Sequence, residues 1–467
     1  MAGIVSDGVY LPLWRLRKET LSKGARGERT VTSYDEDSVT MAVAAARNCL
    51  KGRGRETVDA LLFASTTFPY LEKQAAALVA SAIDLRPEVL TLDFAGSLRS
   101  GTSACKLALD MVNAGTARQV LVVAADCRLG APGSRFERNC GSGAAALLIG
   151  NSEIAVEVKG FHTISNEILD IWRPEGERFL RTWEDRFVLE KGFLNVVPKM
   201  VSPLLAKSSL SPEQFTHVIF TGMDRSIFEL AESLGFAKTQ VQDPLFDSMG
   251  NTGTPYPLML CIAALEDAKP GEQILLTSYG DGADGLVLLT TELIGTLNDR
   301  RGMKSNLQSK KLIPDYTTYL QWEGILDKTG ERRPLVQEPS ASGMAREQAK
   351  NIRFHGVRCK VCGQVLYPIT RVCARCQSKD QFDEVPLADE KGELFTYSID
   401  YLSSSLEPLK IGVINLEGGA RLLCYVADVD VGEMKIGIPV EMSFRKLFQT
   451  QGIHNYYWKA TPVRFNS

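Results

Sequence analysis

Apolar and polar positions along the first 295 residues follow two periods. Short, strongly apolar runs predict strands over 3–10, 58–65, 88–93, 119–125, 144–149, 155–163, 217–221, 273–279 and 285–289. Between them, apolar residues recur every three or four positions. That spacing predicts helices over about 36–50, 72–84, 101–114, 188–208, 225–235 and 255–268. Strands alternating with helices predict an α/β fold with a largely parallel sheet covered on both faces. The strand–helix–strand order recurs after a polar, Trp- and Arg-rich insertion at about 164–187. The pattern changes after residue 295. Residues 296–350 read as a linker with a short docking helix around Tyr316, Tyr319, Leu320 and Trp322. Residues 351–382 carry clustered cysteines. Residues 383–467 break into short alternating runs, as in a small antiparallel barrel.

Against this pattern, residues 93–102 (Asp-Phe-Ala-Gly-Ser-Leu-Arg-Ser-Gly-Thr) stand at a strand-to-helix turn built from small residues. Such a turn aims backbone N–H groups at one point, where a nucleophile or an oxyanion is usually placed. This one contains no cysteine. Two further stretches have the composition of a site. In 248–255, glycines flank Asn251, whose amide can hold a water or a carbonyl oxygen. In 278–285, Tyr279, Gly280 and Gly282 form a glycine-rich turn without the lysine of a phosphate loop. It can offer N–H groups to an oxyanion or be a plain hairpin. Asp170-Ile171-Trp172-Arg173-Pro174 reads as a loop, since neither an interior strand nor a helix tolerates Trp-Arg-Pro.

Composition narrows the classes. A chain of 467 residues has room for two or three domains, each with its own core. A net charge of −3 argues against nucleic acid or an anionic membrane as the main partner. No apolar run reaches the roughly 20 residues of a membrane span, and the first residues lack a signal-peptide layout, so a cytoplasmic protein is expected. Cys359-x-x-Cys362 and Cys373-x-x-Cys376 form two knuckles able to complete a tetrahedral zinc site. With four protein thiolates and no open position, that zinc is structural. A nucleic-acid-binding ribbon is the other common use and fits the charge less well. The remaining cysteines, Cys105 and Cys140 among them, read as packed thiols.

With these stretches placed, residues 1–295 resemble hydroxymethylglutaryl-CoA synthase and the ketoacyl synthases of the thiolase superfamily. The resemblance rests on residues 3–12, Trp172-Arg173-Pro174, Gly141-Ser142-Gly143-Ala144-Ala145, Gly250-Asn251-Thr252-Gly253 and Ser278-Tyr279-Gly280. Residues 310–467 resemble the rubredoxin-like zinc ribbon and OB-fold domain that accompanies acyl-CoA thiolases and synthases. The resemblance implies a layered αβαβα fold, a coenzyme A thioester as substrate, and a homodimer or a complex with a second thiolase-fold subunit. It also implies a catalytic Cys, His and Glu, and their positions hold Leu98, Thr221 and Thr66. Leucine cannot carry an acyl group. Carbon–carbon bond chemistry of the aldol or retro-aldol type remains, since it needs an enolate site and a proton carrier but no nucleophile. Asn251 and the Gly280–Gly285 turn are the expected polarising groups, and Asp224, Tyr256, Cys140 and Ser97 are the candidate proton carriers. A covalent condensing enzyme with a replaced nucleophile, or a non-catalytic acyl-CoA-binding subunit, are the alternatives.

Overall fold

The computed structural model describes residues 2–222, 226–327, 340–403 and 406–464. The chain divides into two units. The first holds Met1–Thr32, Asp37–Ala80 and Arg86–Tyr316; the second holds Ser33–Glu36, Ser81–Leu85 and Thr317–Ser467.

The apolar runs of the first unit become nine strands: β1 (Gly3–Tyr10), β2 (Val58–Ala64), β3 (Leu90–Phe94), β4 (Gln119–Cys127), β5 (Ser142–Gly150), β6 (Val156–Ser165), β7 (His217–Ile219), β8 (Gln273–Tyr279) and β9 (Gly282–Thr290). They form one sheet in the order β7-β8-β9-β6-β1-β5-β4-β2-β3. The expectation of a largely parallel sheet is corrected here. Only β2–β3, β2–β4 and β7–β8 pair in parallel. The other five neighbours are antiparallel. The reason is local: the Gly280–Asp281 turn closes β8 and β9 as a hairpin, and no helix intervenes between β5 and β6.

The main helices are α1 (Ser38–Cys49), α2 (Ala75–Ala82), α3 (Ser100–Asn113), α4 (Leu194–Ser208), α5 (Ser226–Ser233) and α6 (Tyr256–Leu265). The period of two along β9 shows how they cover the sheet. Ala283 and Val287 join the core of α4, whereas Leu286 and Leu288 join the core of α3 and α6. Helix α6 is buried nearly all round, as a helix in an inner layer must be. Gly8 lies against α1, where a Cβ would meet the backbone of Cys49. The result is the layered thiolase-like α/β fold.

The second unit begins with the helix Tyr316–Trp322 near the Thr317 boundary. Strands β10 (His355–Cys359), β11 (Val365–Leu366) and β12 (Phe382–Pro386) frame the cysteines. Strands β13 (Lys391–Asp400), β14 (Leu409–Leu416), β15 (Arg421–Tyr425), β16 (Pro439–Thr450) and β17 (Ile453–Pro462) follow in the sheet order β15-β14-β13-β16-β17. A bridge between Val426 and Ala460 brings the two edges together, so the barrel is nearly closed. Trp458 on β17 is fully buried, stacked 5.6 Å from Phe354 with its Nε1–H donating to the Ile352 carbonyl at 2.8 Å. A buried ion cluster belongs to the same unit. Asp35 pairs with Lys459 at 2.8 Å and Arg445 at 3.2 Å, and Arg445 also reaches Asp428 at 2.6 Å.

Candidate functional site

Strand β3 ends at Phe94, and the chain turns through Gly96, whose φ of +84° favours glycine, before α3 begins at Ser100. The turn is pinned at both ends. The Asp93 carboxylate accepts from the Ala75 and Ala76 N–H groups at 2.7 Å each, which caps α2. The Ser97 hydroxyl donates to the Gly280 carbonyl at 3.0 Å. Behind the elbow, Arg99, Thr102, Ser103 and Thr163 all bond the buried Asp284 carboxylate at 2.7–3.0 Å. The Leu98 N–H, just ahead of the helix, donates to no protein acceptor among the described residues.

The elbow forms one wall of a cavity of about 500 Å³, within the range of small-molecule sites. Its lining includes Ser97, Leu98, Thr66, Thr221, Asn251, Tyr279 and Gly280, together with Asp170 and Arg128. Residues from seven separate stretches of sequence thus meet at one place. Phe68, Ile171, Trp172, Leu189 and Phe193 supply apolar wall.

Thr66 and Thr221, where the resemblance leads one to expect acid/base residues, are tied to the scaffold. The Thr66 hydroxyl donates to Asp126 Oδ2 at 3.0 Å, and Thr221 Oγ1 accepts from the Tyr279 N–H at 3.1 Å. Asp126 is fully buried and saturated. Its Oδ1 accepts from Ser65 Oγ, Thr66 N and Thr67 Oγ1, and its Oδ2 from Thr66 Oγ1, Thr254 N and Thr254 Oγ1. Asn251 is 4% exposed, and its Oδ1 accepts from the Gly253 N–H at 2.9 Å, which fixes the acceptor end of the amide.

Asp170 and Tyr279, a pair of titratable groups, meet in the cavity wall. The Tyr279 hydroxyl donates to Asp170 Oδ2 at 2.8 Å, and the Ile171 N–H donates to Asp170 Oδ1 at 2.6 Å. Burial raises the Asp170 carboxyl above its ordinary range, against the lowering effect of those two bonds. Burial and the neighbouring Asp170 charge raise the Tyr279 hydroxyl far above its usual value. A carboxyl held closer to neutrality by burial, in a cleft, has the properties of an acid/base group.

The other candidates fall as follows. Tyr256 is 1% exposed, is absent from the lining, and donates its hydroxyl to the Pro244 carbonyl at 2.6 Å. Cys140 is buried behind the lining, in a bridge with Asn251. Cys105 is packed in α3, where burial pushes its thiol up to about 12. Asp224 lies outside the described residues. In the glycine turn, the Gly280 N–H donates to the Gly282 carbonyl at 3.0 Å and is therefore spent within the turn. Gly282 is not part of the lining. Asp170 was legible only as a loop residue beside Trp172; nothing in the spacing said that Tyr279, over a hundred residues later, would meet it.

In the second unit the sulfurs of Cys359, Cys362, Cys373 and Cys376 all lie within 4.8 Å of one another. Two of the distances, Cys359–Cys376 and Cys362–Cys373, are 3.6 Å. Tetrahedral thiolates about 2.3 Å from a metal stand about 3.8 Å apart, so the set can hold a metal ion. Gly363, with φ +74°, and Gln377, with φ +61°, close the two knuckles. The Ser378 hydroxyl, 3.2 Å from Cys359 Sγ, lowers that thiol to about 6 and favours the ligating thiolate.

Solved structures share the fold. MvaS in complex with 3-hydroxy-3-methylglutaryl coenzyme A matches 73% of this chain and 94% of its own, with TM-score 0.63 and 19% identity. The 3-oxoacyl-[acyl-carrier-protein] synthase III from Aquifex aeolicus VF5 matches 62% of this chain and all of its own, with TM-score 0.53 and 22% identity. These likenesses show the fold. Sequence goes further. The hydroxymethylglutaryl-CoA synthase of Methanocaldococcus jannaschii is 30% identical over 340 residues, covering 69% of this chain and 98% of its own. That of Methanosarcina mazei is 31% identical over 342 residues, with the same two coverages. The chain belongs to the hydroxymethylglutaryl-CoA synthase family. In addition, residues 384–445 match the family described as ChsH2, C-terminal OB-fold domain.

Proposed function

We propose that the chain is an acyl-CoA enzyme that makes or breaks a carbon–carbon bond by aldol or retro-aldol chemistry, without an acyl-cysteine intermediate. The observation that carries this reading is the Asp170–Tyr279 pair, 2.8 Å apart, in the wall of a cavity whose nucleophile position is Leu98. In the cleavage direction Asp170 takes the proton of a β-hydroxyl group, and Tyr279 orients that carboxylate. The bond between the α and β carbons breaks, its electron pair enters the thioester as an enolate, and the β carbon leaves as a carbonyl. The enolate then takes a proton at the α carbon to give the shorter CoA ester. No oxidant or second nucleophile is required. The Leu98 N–H, at the start of α3 and without a protein acceptor among the described residues, is the donor we assign to the thioester oxygen. Asn251 is the second polarising group in the lining.

Incubating the protein with a series of 3-hydroxyacyl-CoA esters tests the reading. The expected outcome is a shorter CoA ester plus an aldehyde or ketone. Intact CoA-ester binding with no cleavage of any ester would instead support a non-catalytic acyl-CoA-binding subunit, a reading favoured by the loss of Cys, His and Glu together. A covalent route finds little support at Ser97, whose hydroxyl is engaged by the Gly280 carbonyl. Mass spectrometry after incubation with acetyl-CoA is expected to show an unmodified chain.

We assign structural zinc to the four cysteines, and a second thiolase-fold copy to the sheet edge. Strand β3 is terminal in the sheet, with Leu90 48% and Leu92 36% exposed, and an apolar open edge is ordinarily covered.

A further inference from the structure

Glycine inside a helix is less stable than alanine, so a helical glycine not used for its backbone freedom is there for its missing side chain. Gly192 is of this kind. It is buried in the π-helical stretch Val188–Phe193, which leads directly into α4, and its φ lies outside the left-handed region. π turns are rare and recur at functional sites. This one carries Val188, Leu189 and Phe193 of the cavity lining.

A side chain at position 192 would meet the Tyr279 hydroxyl. Its Cβ would lie 2.2 Å from Tyr279 Oη and 3.3 Å from Tyr279 Cζ, while the next neighbour, Ile168 Cδ1, stands at an ordinary 3.8 Å. Non-bonded Cβ contacts under 3.0 Å do not occur, so the hydroxyl would have to retreat by at least 0.8 Å, from 2.2 to 3.0 Å. Its partner is held in place and cannot follow. The Asp170 carbonyl accepts from Thr182 Oγ1 at 2.7 Å, its Oδ1 accepts from the Ile171 N–H at 2.6 Å, and Ile171–Trp172 pairs with Arg181–Thr182. The tyrosine is held too, by the edge contact of its ring with Phe193 and by its N–H bond to Thr221. A hydrogen bond of 2.8 Å does not survive a shift of that size.

We propose that Gly192 is a positioning residue for the reaction: by lacking a side chain, it leaves the Tyr279 hydroxyl the space in which it reaches and orients the Asp170 carboxylate. The proposal rests on the acid/base role given to Asp170 above. It adds a residue that is not itself part of the cavity lining.

A double-mutant cycle in the full-length chain tests it, with Gly192→Ala, Tyr279→Phe and the two combined. Gly192→Ala is expected to lower kcat on a cleaved 3-hydroxyacyl-CoA by about tenfold or more, towards the level of Tyr279→Phe, with KM little changed. The acid limb of kcat/KM should move to higher pH, because Asp170 loses a bond that holds its carboxyl down. The melting temperature should fall. In the Tyr279→Phe background the same alanine meets no hydroxyl, so kcat, acid limb and melting temperature should change little further. A merely structural glycine would lower the melting temperature equally in both backgrounds and leave the acid limb where it is. That result overturns the proposal, as does a Gly192→Ala enzyme with unchanged kcat. Should Gly192→Ala not fold, the combined variant decides: its folding supports the proposal and its failure to fold overturns it. If wild type cleaves no 3-hydroxyacyl-CoA, the reaction reading falls, and the melting-temperature cycle alone then decides whether Gly192 makes room for the hydroxyl.

Discussion

Replacing Tyr279 by Phe removes one hydroxyl and keeps the ring in its edge contact with Phe193, 5.6 Å between centroids. On the proposed reaction, Tyr279→Phe and Asp170→Asn should each lower kcat about 10²- to 10⁴-fold, the range of a lost acid/base partner, with melting temperatures little changed. The pH dependence has a definite sign. Asp170 acts as a base only when ionised, and burial raises its carboxyl. The acid limb of kcat/KM should therefore lie above the usual carboxylate value of about 4 and vanish in Asp170→Asn. A second buried acid tests the same physics away from the site. Burial raises Asp7 to about 7, above its value in an unfolded chain. The native state then binds more protons than the unfolded one between those values, so stability falls as pH rises through that window. Asp7→Asn should raise the stability at pH 8 by roughly 1–3 kcal/mol in denaturant melts. The family resemblance singled out Leu98, Thr66 and Thr221, each just past a strand end, and all three line the cavity. Sequence reading could not find the Asp170–Tyr279 pair, since a contact between a loop and a hairpin turn leaves no periodic trace.

At the scale of elements, the elbow depends on two neighbours. Gly280 is pressed against it, and a Cβ there would lie 3.0 Å from Ser97 Oγ and 3.1 Å from the Leu98 N. Gly280→Ala should displace the turn and cut activity at least tenfold, with a small cost in stability; a crystal structure of the variant would show the shift. Asp93→Ala removes the carboxylate that caps α2 and should cost about 1–2 kcal/mol. The strands and helices themselves were readable, because runs such as 120–125 and 274–276 are apolar throughout. Strand direction was not. A hairpin such as β8–β9 and a crossover look alike until the length of the connection is known to be two residues rather than a helix. The barrel was readable from short alternating runs, and the cysteine set from its spacing alone.

At the scale of the whole molecule, the cysteine set and the buried ion cluster carry most of the testable stability. Zinc removal by a chelator, or Cys373→Ser, should abolish bound metal and unfold the small sheet of β10–β12, read by metal analysis and by hydrogen exchange in residues 355–386. Asp35→Ala leaves Arg445 and Lys459 buried without their carboxylate and should cost about 3–5 kcal/mol. Burial alone would raise Asp35, yet Lys459 and Arg445 hold it well below the ordinary carboxylate range. Its contribution is thus complete above about pH 4 and is lost as the pH falls below the unfolded value.

The second unit draws Ser33–Glu36 and Ser81–Leu85 from the start of the chain, and this has a consequence for biosynthesis. Lys459 meets Asp35 across 424 positions of sequence. A ribosome that has made the first 400 residues has exposed the acid but not yet the base. The unit can close only after Lys459 has been made, and this long-range step is expected to be slow. Residues 317–467 made alone would carry two cations evolved for a carboxylate supplied by the other end of the chain. That fragment should fold less stably than the same residues do in the intact protein.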